Sequence, residues 1–206
     1  ARRVYYYRKN SAASNLSIKD FDFNLVEQCK IVHLTGLTPA LSESCAKLVD
    51  SIIDKANSLK IPVSFDPNYR KQLWSGEKAR SILEPMIRKS NLLFIGHEDA
   101  EAIFGSKTSE KMFEFLKSLG PDLIVFKEGE YGARVWEKNG KIYQMPALKV
   151  DNVIDPVGAG DGFVAGYISG WLEGKNSEEC LKRGNYIGAK SVQVIGDYAG
   201  YPLEIV

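Results

Sequence analysis

The sequence predicts an α/β fold built on a mostly parallel sheet with helices on both faces. Two observations carry that prediction. Short apolar runs of strand length alternate with stretches in which apolar residues recur every three or four positions. Most runs end at glycine, proline, asparagine or aspartate, where a strand can hand the chain to a crossover helix. At 206 residues, 44% apolar and 26% charged, the chain has the size and composition of one globular domain with a small appendage.

The opening stretch Arg2-Arg3-Val4-Tyr5-Tyr6-Tyr7-Arg8 reads as a strand already under way, with no initiator methionine. A complete α/β sheet usually opens with a buried strand, so an N-terminal portion is expected to be missing. Ile31–Leu34 is a short buried-strand candidate that stops at Thr35-Gly36. From Leu41 to Lys60, residues Cys45, Leu48, Val49, Ile52, Ile53, Ala56 and Leu59 form one helical stripe, with Ser42 as N-cap. Ile61–Phe65 reads as a strand ending at Asp66-Pro67-Asn68. A helix over Glu77–Arg88 and a strand over Asn91–Ile95 repeat the unit. Two short helices near Asp99–Phe104 and Glu110–Leu119 precede a strand over Leu123–Phe126. Asn139-Gly140 between Ala133–Trp136 and Lys141–Met145 predicts a hairpin. Helices near Gly160–Leu172 and Ser177–Val194 complete the chain, and no repeat or linker interrupts it.

Composition narrows the function classes. Lys+Arg minus Asp+Glu is 27 − 26 = +1, which supplies no broad footprint for nucleic acid or anionic lipid. No apolar run approaches the ~18 residues of a spanning helix, and the opening residues do not read as a signal peptide. Cys29, Cys45 and Cys180 are odd in number and widely spaced, which fits neither a disulfide framework nor a zinc pattern. A reducing, cytoplasmic setting is expected.

In such sheets ligands bind beyond the carboxyl ends of the strands. That rule directs attention to Thr35–Pro39, Asp66–Arg70, Gly96–Asp99, Lys127–Gly132 and Asp155–Asp161. The strongest signal is Asp155-Pro156-Val157-Gly158-Ala159-Gly160-Asp161-Gly162-Phe163, entering an apolar helix. Its glycines allow close backbone approach, and the free amides and dipole of a first helical turn bind anions. A carboxylate inside an anion site is repulsive unless it has a task. Asp161 could accept the proton of an attacking hydroxyl beside a phosphoryl group, or it could simply favour the helix N-terminus. The loop is not a dinucleotide fingerprint, because Phe163 falls at the third glycine position, and it lacks the lysine of a Walker loop.

Asp155–Phe163 resembles the C-terminal signature of the ribokinase-like (PfkB) carbohydrate kinases, Asp-Thr-x-Gly-Ala-Gly-Asp-x-Phe, with Pro156 at the usual threonine. The resemblance runs along essentially the whole chain. Val4–Arg8 with Ser11–Ser14, Phe65–Arg70 with Leu73-Trp74, and Gly196-Asp197 are most similar to the 2-keto-3-deoxygluconate kinase subgroup. The fold this implies is a ribokinase-like three-layer α/β sandwich lacking roughly its first third, including the first strands and the glycine pair that contacts the sugar. Residues 1–14 would be the remnant of a small β lid that pairs with another subunit in a homo-oligomer. Residues 15–206 would be the nucleotide-binding and catalytic core.

The implied activity is ATP-dependent phosphorylation of the primary hydroxyl of 2-keto-3-deoxygluconate. Asp161 would be the base, and Gly158, Ala159 and Gly160 the anion hole. Tyr6, Arg8, Arg70, Asp161 and Asp197 would meet the sugar acid, an arginine fork suiting its carboxylate. Asn68, Lys127, Gly129, Gly132, Gly158, Gly160 and Asn185 would meet the nucleotide. The implied cofactors are ATP and Mg²⁺, with a monovalent cation also admitted; no nucleic acid or membrane partner is implied. Without the resemblance, Tyr5–Tyr7 reads as an ordinary strand, Arg8 and Arg70 as solvated charges, Lys127–Gly132 as a turn, and Asn185 as solvent-facing.

One departure concerns the metal. Where the family often has Asn-x-x-Glu, this chain has Gly96-His97-Glu98-Asp99, which leaves the metal residues undefined, with Asp99 or Glu98 as indirect candidates. His97, and His33 in its buried-strand pattern, read as structural residues. The alternatives are a fructokinase- or ribokinase-type enzyme for a neutral sugar, and a nucleotide-binding module without catalysis.

Overall fold

Residues 7–202 are described in a computed structural model. Within them six strands, β1 (Val32–Thr35), β2 (Val63–Asp66), β3 (Leu92–Gly96), β4 (Leu123–Lys127), β5 (Ala133–Glu137) and β6 (Ile142–Met145), form one sheet in sequence order. β1–β2 and β2–β3 pair in parallel, and β5–β6 is the antiparallel hairpin around Asn139-Gly140, with Ala133 opposite Met145. The helices are α1 (Asn24–Glu27), α2 (Glu43–Ser58), α3 (Gly76–Arg88), α4 (His97–Phe104), α5 (Ser109–Ser118), α6 (Ala159–Leu172) and α7 (Ser177–Ser191). The strand–helix alternation and every predicted element from residue 31 onward are present, with ends shifted by a few residues. The chain divides into two compact units, 1–124 and 125–206, the boundary falling inside β4.

In the first unit the crossover helices follow their local signals. Ser42 Oγ accepts from the Cys45 N–H at 3.1 Å, so the predicted N-cap starts α2. Its stripe Cys45, Leu48, Val49, Ile52, Ile53 and Ala56 is buried, while Asp54 and Asn57 stay in water. Burying each large aliphatic side chain stabilises the fold by about 1.5–3 kcal/mol. Ser75 caps α3 in the same way, its Oγ accepting from the Lys78 N–H at 3.2 Å. β2 is buried at all four positions, as expected for a strand with neighbours on both sides.

β1 departs from its expected pattern. His33 is exposed rather than buried, and its Nδ1 pairs with Ser64 Oγ at 2.9 Å. β1 stands at the end of the strand order, so only one of its edges carries a hydrogen-bonded neighbour among the described residues. The motif Ser11–Ser14 runs into a short 3₁₀ turn, Ala13–Asn15, and the Cys45 thiol of α2 donates to the Ala13 carbonyl at 3.2 Å. Residues 1–6, and with them Tyr6 and most of the expected opening strand, lie outside the described residues. Tyr7 and Arg8 belong to no strand.

In the second unit α6 and α7 pack closely. A Cβ on Gly166 would come within 2.8 Å of the Arg183 carbonyl oxygen, and one on Gly184 within 3.0 Å of Phe163 Cε2. Small residues at the crossing let the two backbones approach. α7 is set by a capping box in which Asn176 Oδ1 accepts from the Glu179 N–H (3.0 Å) and Glu179 Oε2 from the Asn176 N–H (3.1 Å).

Candidate active site

The entry to α6 is held by Asp155. This carboxylate is 7% exposed; Oδ1 accepts from the Val157 N–H at 3.2 Å and Oδ2 from the Gly196 N–H at 3.4 Å. It therefore ties the loop before α6 to the turn that carries Asp197. Gly158 is the N-cap in the left-handed region, φ 80°, and a Cβ there would overlap the Asp197 carbonyl and lie 2.6 Å from its Cα. No side chain caps the helix. The Ala159 N–H reaches back to the Pro156 carbonyl at 3.3 Å, whereas the Gly160 N–H makes no hydrogen bond among the described residues. The expected anion hole is thus uneven, with Gly160 the least committed donor. Lys127 Nζ lies 3.8 Å from the position a Cβ on Gly160 would occupy, adding a cation to the helix dipole.

Asp161 is exposed in the first turn of α6, where the dipole favours its charge. On its far side stands Tyr201, whose phenol is held above the usual tyrosine range by burial and by the charges of Asp161 and Asp197. The sequence carried no signal for Tyr201, because only the 196–201 turn brings it to α6.

β4 delivers Lys127 to a cavity of about 840 Å³ in the second unit, lined in part by Lys127, Gly129, Gly132, Gly160, Phe163 and Asn185. Glu128 and Arg134 flank Lys127 and Gly132 in β4–β5 without lining the cavity. They form a two-pronged ion pair at 3.0 and 2.8 Å, the Arg134 guanidinium lies 5.6 Å from the Phe126 ring centre, and both charged side chains are over four-fifths buried. Asn185 is buried, not solvent-facing, and its Nδ2 donates to the Pro146 carbonyl at 2.9 Å. The residues 147–151 beside this anchor line the same cavity, a contribution no sequence motif announced. Five of the seven expected nucleotide residues therefore meet in one cavity. Of the other two, Gly158 is not part of its lining and Asn68 lies in the first unit; Asp161 is not part of the lining either.

The other expected residues belong to the first unit. β2 ends at Asp66, which is 2% exposed and accepts from the Asn68 N–H at 3.1 Å. The Tyr69 N–H donates to Asp99 Oδ2 at 3.2 Å, and Arg70 Nη1 donates to the Tyr69 carbonyl at 3.0 Å. Asn68, Arg70 and Asp99 thus gather around one turn. Arg8 is half-buried near the start of the described residues, His97 is half-buried, and Glu98 is exposed. Among the described residues no three histidine, cysteine, aspartate or glutamate side chains are grouped to hold a metal ion. No helix among them is long and apolar enough to cross a membrane.

A free amide and a cation at a helix N-terminus, beside an exposed carboxylate and an 840 Å³ cavity, form a site suited to moving an anionic group. The fold is that of the ribokinase-like proteins. A PfkB protein from Polaromonas sp. JS666 matches with a TM-score of 0.82 at 33% identity, over 94% of this chain and 64% of that one. A putative ribokinase II from E. coli, in complex with ATP and Mg²⁺, matches with a TM-score of 0.86 at 23% identity, over 96% and 63%. Residues 1–204 match the model of the pfkB family of carbohydrate kinases, and the chain belongs to that family. It is 33% identical over 201 residues to the 2-dehydro-3-deoxygluconokinase of Bacillus subtilis, covering 97% of this chain and 62% of the relative. With the enzyme of the same name from Thermoproteus tenax it shares 33% over 202 residues, covering 97% and 60%. An ATP-dependent 6-phosphofructokinase of Thermoanaerobacterium thermosaccharolyticum is 30% identical over 209 residues, covering 97% and 64%. The chain spans 60–64% of the length of these three relatives.

Proposed function

We propose that the whole protein is an ATP-dependent sugar-acid kinase acting on the terminal primary hydroxyl of 2-keto-3-deoxygluconate. The observation that carries this reading is the exposed Asp161 carboxylate one residue beyond the uncommitted Gly160 amide, with Lys127 beside it. Asp161 takes the hydroxyl proton as the sugar oxygen attacks the terminal phosphorus of ATP, and ADP leaves. The Gly160 amide, the helix dipole and Lys127 hold the charge of the transferring group in place.

The residues present fit a nucleotide. The cavity has the volume of a small-molecule site, and its lining includes Lys127 and Lys149, glycine backbone and Phe163. Magnesium supplies charge neutralisation when bound to the phosphates. It keeps several waters and needs few protein ligands, which agrees with a site without a carboxylate cage. Asn185 keeps one wall of the cavity in place.

The substrate class rests on Arg70 and on the two relatives named 2-dehydro-3-deoxygluconokinase. The 6-phosphofructokinase relative, at 30% identity, is the observation behind a second reading, a kinase for a neutral or phosphorylated sugar. A panel of sugars in a coupled ADP-release assay separates them: 2-keto-3-deoxygluconate is expected to exceed ribose, fructose and fructose 6-phosphate in kcat/KM by at least about tenfold, a difference of about 1.4 kcal/mol. A preference for any of the other three overturns the sugar-acid assignment.

Arg70 gives a sharper test. Arg70→Leu removes a charge-assisted hydrogen bond of about 1.5–3 kcal/mol, so the sugar KM should rise roughly ten- to a hundredfold. The ATP KM should move much less. Equal damage to both would place Arg70 on the phosphates instead.

A further inference from the structure

The turn after β2 places asparagine, the non-glycine residue that best tolerates it, at positive φ. Asn68 has φ 41°, in the left-handed region that non-glycine residues seldom occupy. Groups around the turn hold it there. The Asp66 carboxylate takes the Asn68 N–H at 3.1 Å, and the Tyr69 hydroxyl donates to the Trp74 carbonyl at 3.0 Å. The Pro67 carbonyl lies so close to Gly36 that no side chain fits between them. The fourth restraint comes from another element: Asp99 Oδ2, thirty residues further on in the first turn of α4, takes the Tyr69 N–H at 3.2 Å. Tyr69 is then fixed at its amide and its hydroxyl, and its carbonyl receives the Arg70 guanidinium at 3.0 Å.

We propose that Asp99 is a positioning residue, whose carboxylate holds the turn that presents Asn68 and Arg70 and so sets affinity for the acidic end of the sugar, instead of organising magnesium. The proposal rests on the role given to Arg70 above. A further observation favours it: Asp99 is half-buried against a backbone amide while its neighbour Glu98 is exposed. A carboxylate accepting a backbone N–H makes a charge-assisted bond that only an acceptor of similar shape can replace.

The test compares Asp99→Ala with Asp99→Asn in the whole protein. The alanine variant loses the acceptor; the asparagine variant keeps a carbonyl oxygen in its place and loses only the charge. Asp99→Ala should raise the sugar KM by about tenfold and the ATP KM, which only Asn68 on this turn would affect, by clearly less, with the magnesium activation curve moving by less than about twofold. Asp99→Asn should restore most of the lost sugar affinity. A readout free of any sugar is tryptic cleavage after Arg70 and Lys71 in the nucleotide-free protein. It should accelerate several-fold in Asp99→Ala and stay near the parent rate in Asp99→Asn. A magnesium requirement raised about tenfold in Asp99→Asn overturns the proposal, as does unchanged tryptic cleavage in Asp99→Ala. Should Asp99→Ala fail to fold, the magnesium curve of Asp99→Asn decides alone. Should no sugar in the panel be phosphorylated, the functional reading falls, and the tryptic comparison still decides whether Asp99 holds the turn.

Discussion

Asp161→Asn is expected to lower kcat at least about a hundredfold while the fold and nucleotide binding persist. The substitution keeps the size of the side chain and its place in the first turn of α6, and asparagine serves a helix start about as well as aspartate. What it removes is the proton acceptor, and general-base catalysis contributes roughly 10²–10⁴-fold. It also removes a negative charge near the phosphate end of the cavity, so the ATP KM should hold or fall. Thermal melting and kcat measured on one preparation separate the two possible roles. A stable variant retaining more than about a tenth of the parent kcat would show that Asp161 only favours the helix N-terminus.

Gly158→Ala should be strongly damaging. Alanine at φ 80° carries a left-handed cost of about 1–2 kcal/mol. Its methyl group would also overlap the Asp197 carbonyl, and forced overpacking typically costs about 1–3 kcal/mol more. The sum is about 3 kcal/mol, or a Tm lower by roughly 6–12 °C for a chain of this size. Because the displaced backbone is the entry to α6, kcat should fall by more than about tenfold as well. Gly129 is the comparison: its φ is 60°, but a Cβ there meets nothing within 4 Å, so Gly129→Ala should incur the conformational cost alone. Equal melting temperatures for the two variants would show that the Asp197 contact is not tight.

Much of this architecture was legible in the sequence, because periodicity and capping are local. The stripe of α2, the cap at Ser42 and the Asn139-Gly140 hairpin all lie where their residues imply. The turn at Gly158 and the start of α6 were legible too, since glycines before an apolar helix specify both. What could not be read depends on position within the sheet or on distant partners. His33 sits in an apolar run, but the end place of β1 leaves its side chain in water. By helical position alone Asn185 is solvent-facing; its burial depends on the Pro146 carbonyl, a partner 39 positions away. Asp99 read as an altered metal motif, and its bond to the Tyr69 amide is not encoded in any spacing. Tyr6, expected at the sugar, lies outside the described residues.

Asp155 joins two segments that the chemistry would assign to different partners. Its one carboxylate ties the loop that opens α6, the proposed phosphate cradle, to the turn bearing Asp197, and Gly158 leaves no slack between them. The part proposed to read the sugar and the part proposed to carry the phosphoryl group are therefore joined through one side chain. Specificity here is not a module that can be exchanged by itself. Grafting a relative's 196–201 turn onto this chain, to change which sugar it accepts, would shift the phosphate donors as well. Selection for a new substrate would have to alter both segments together or leave both alone.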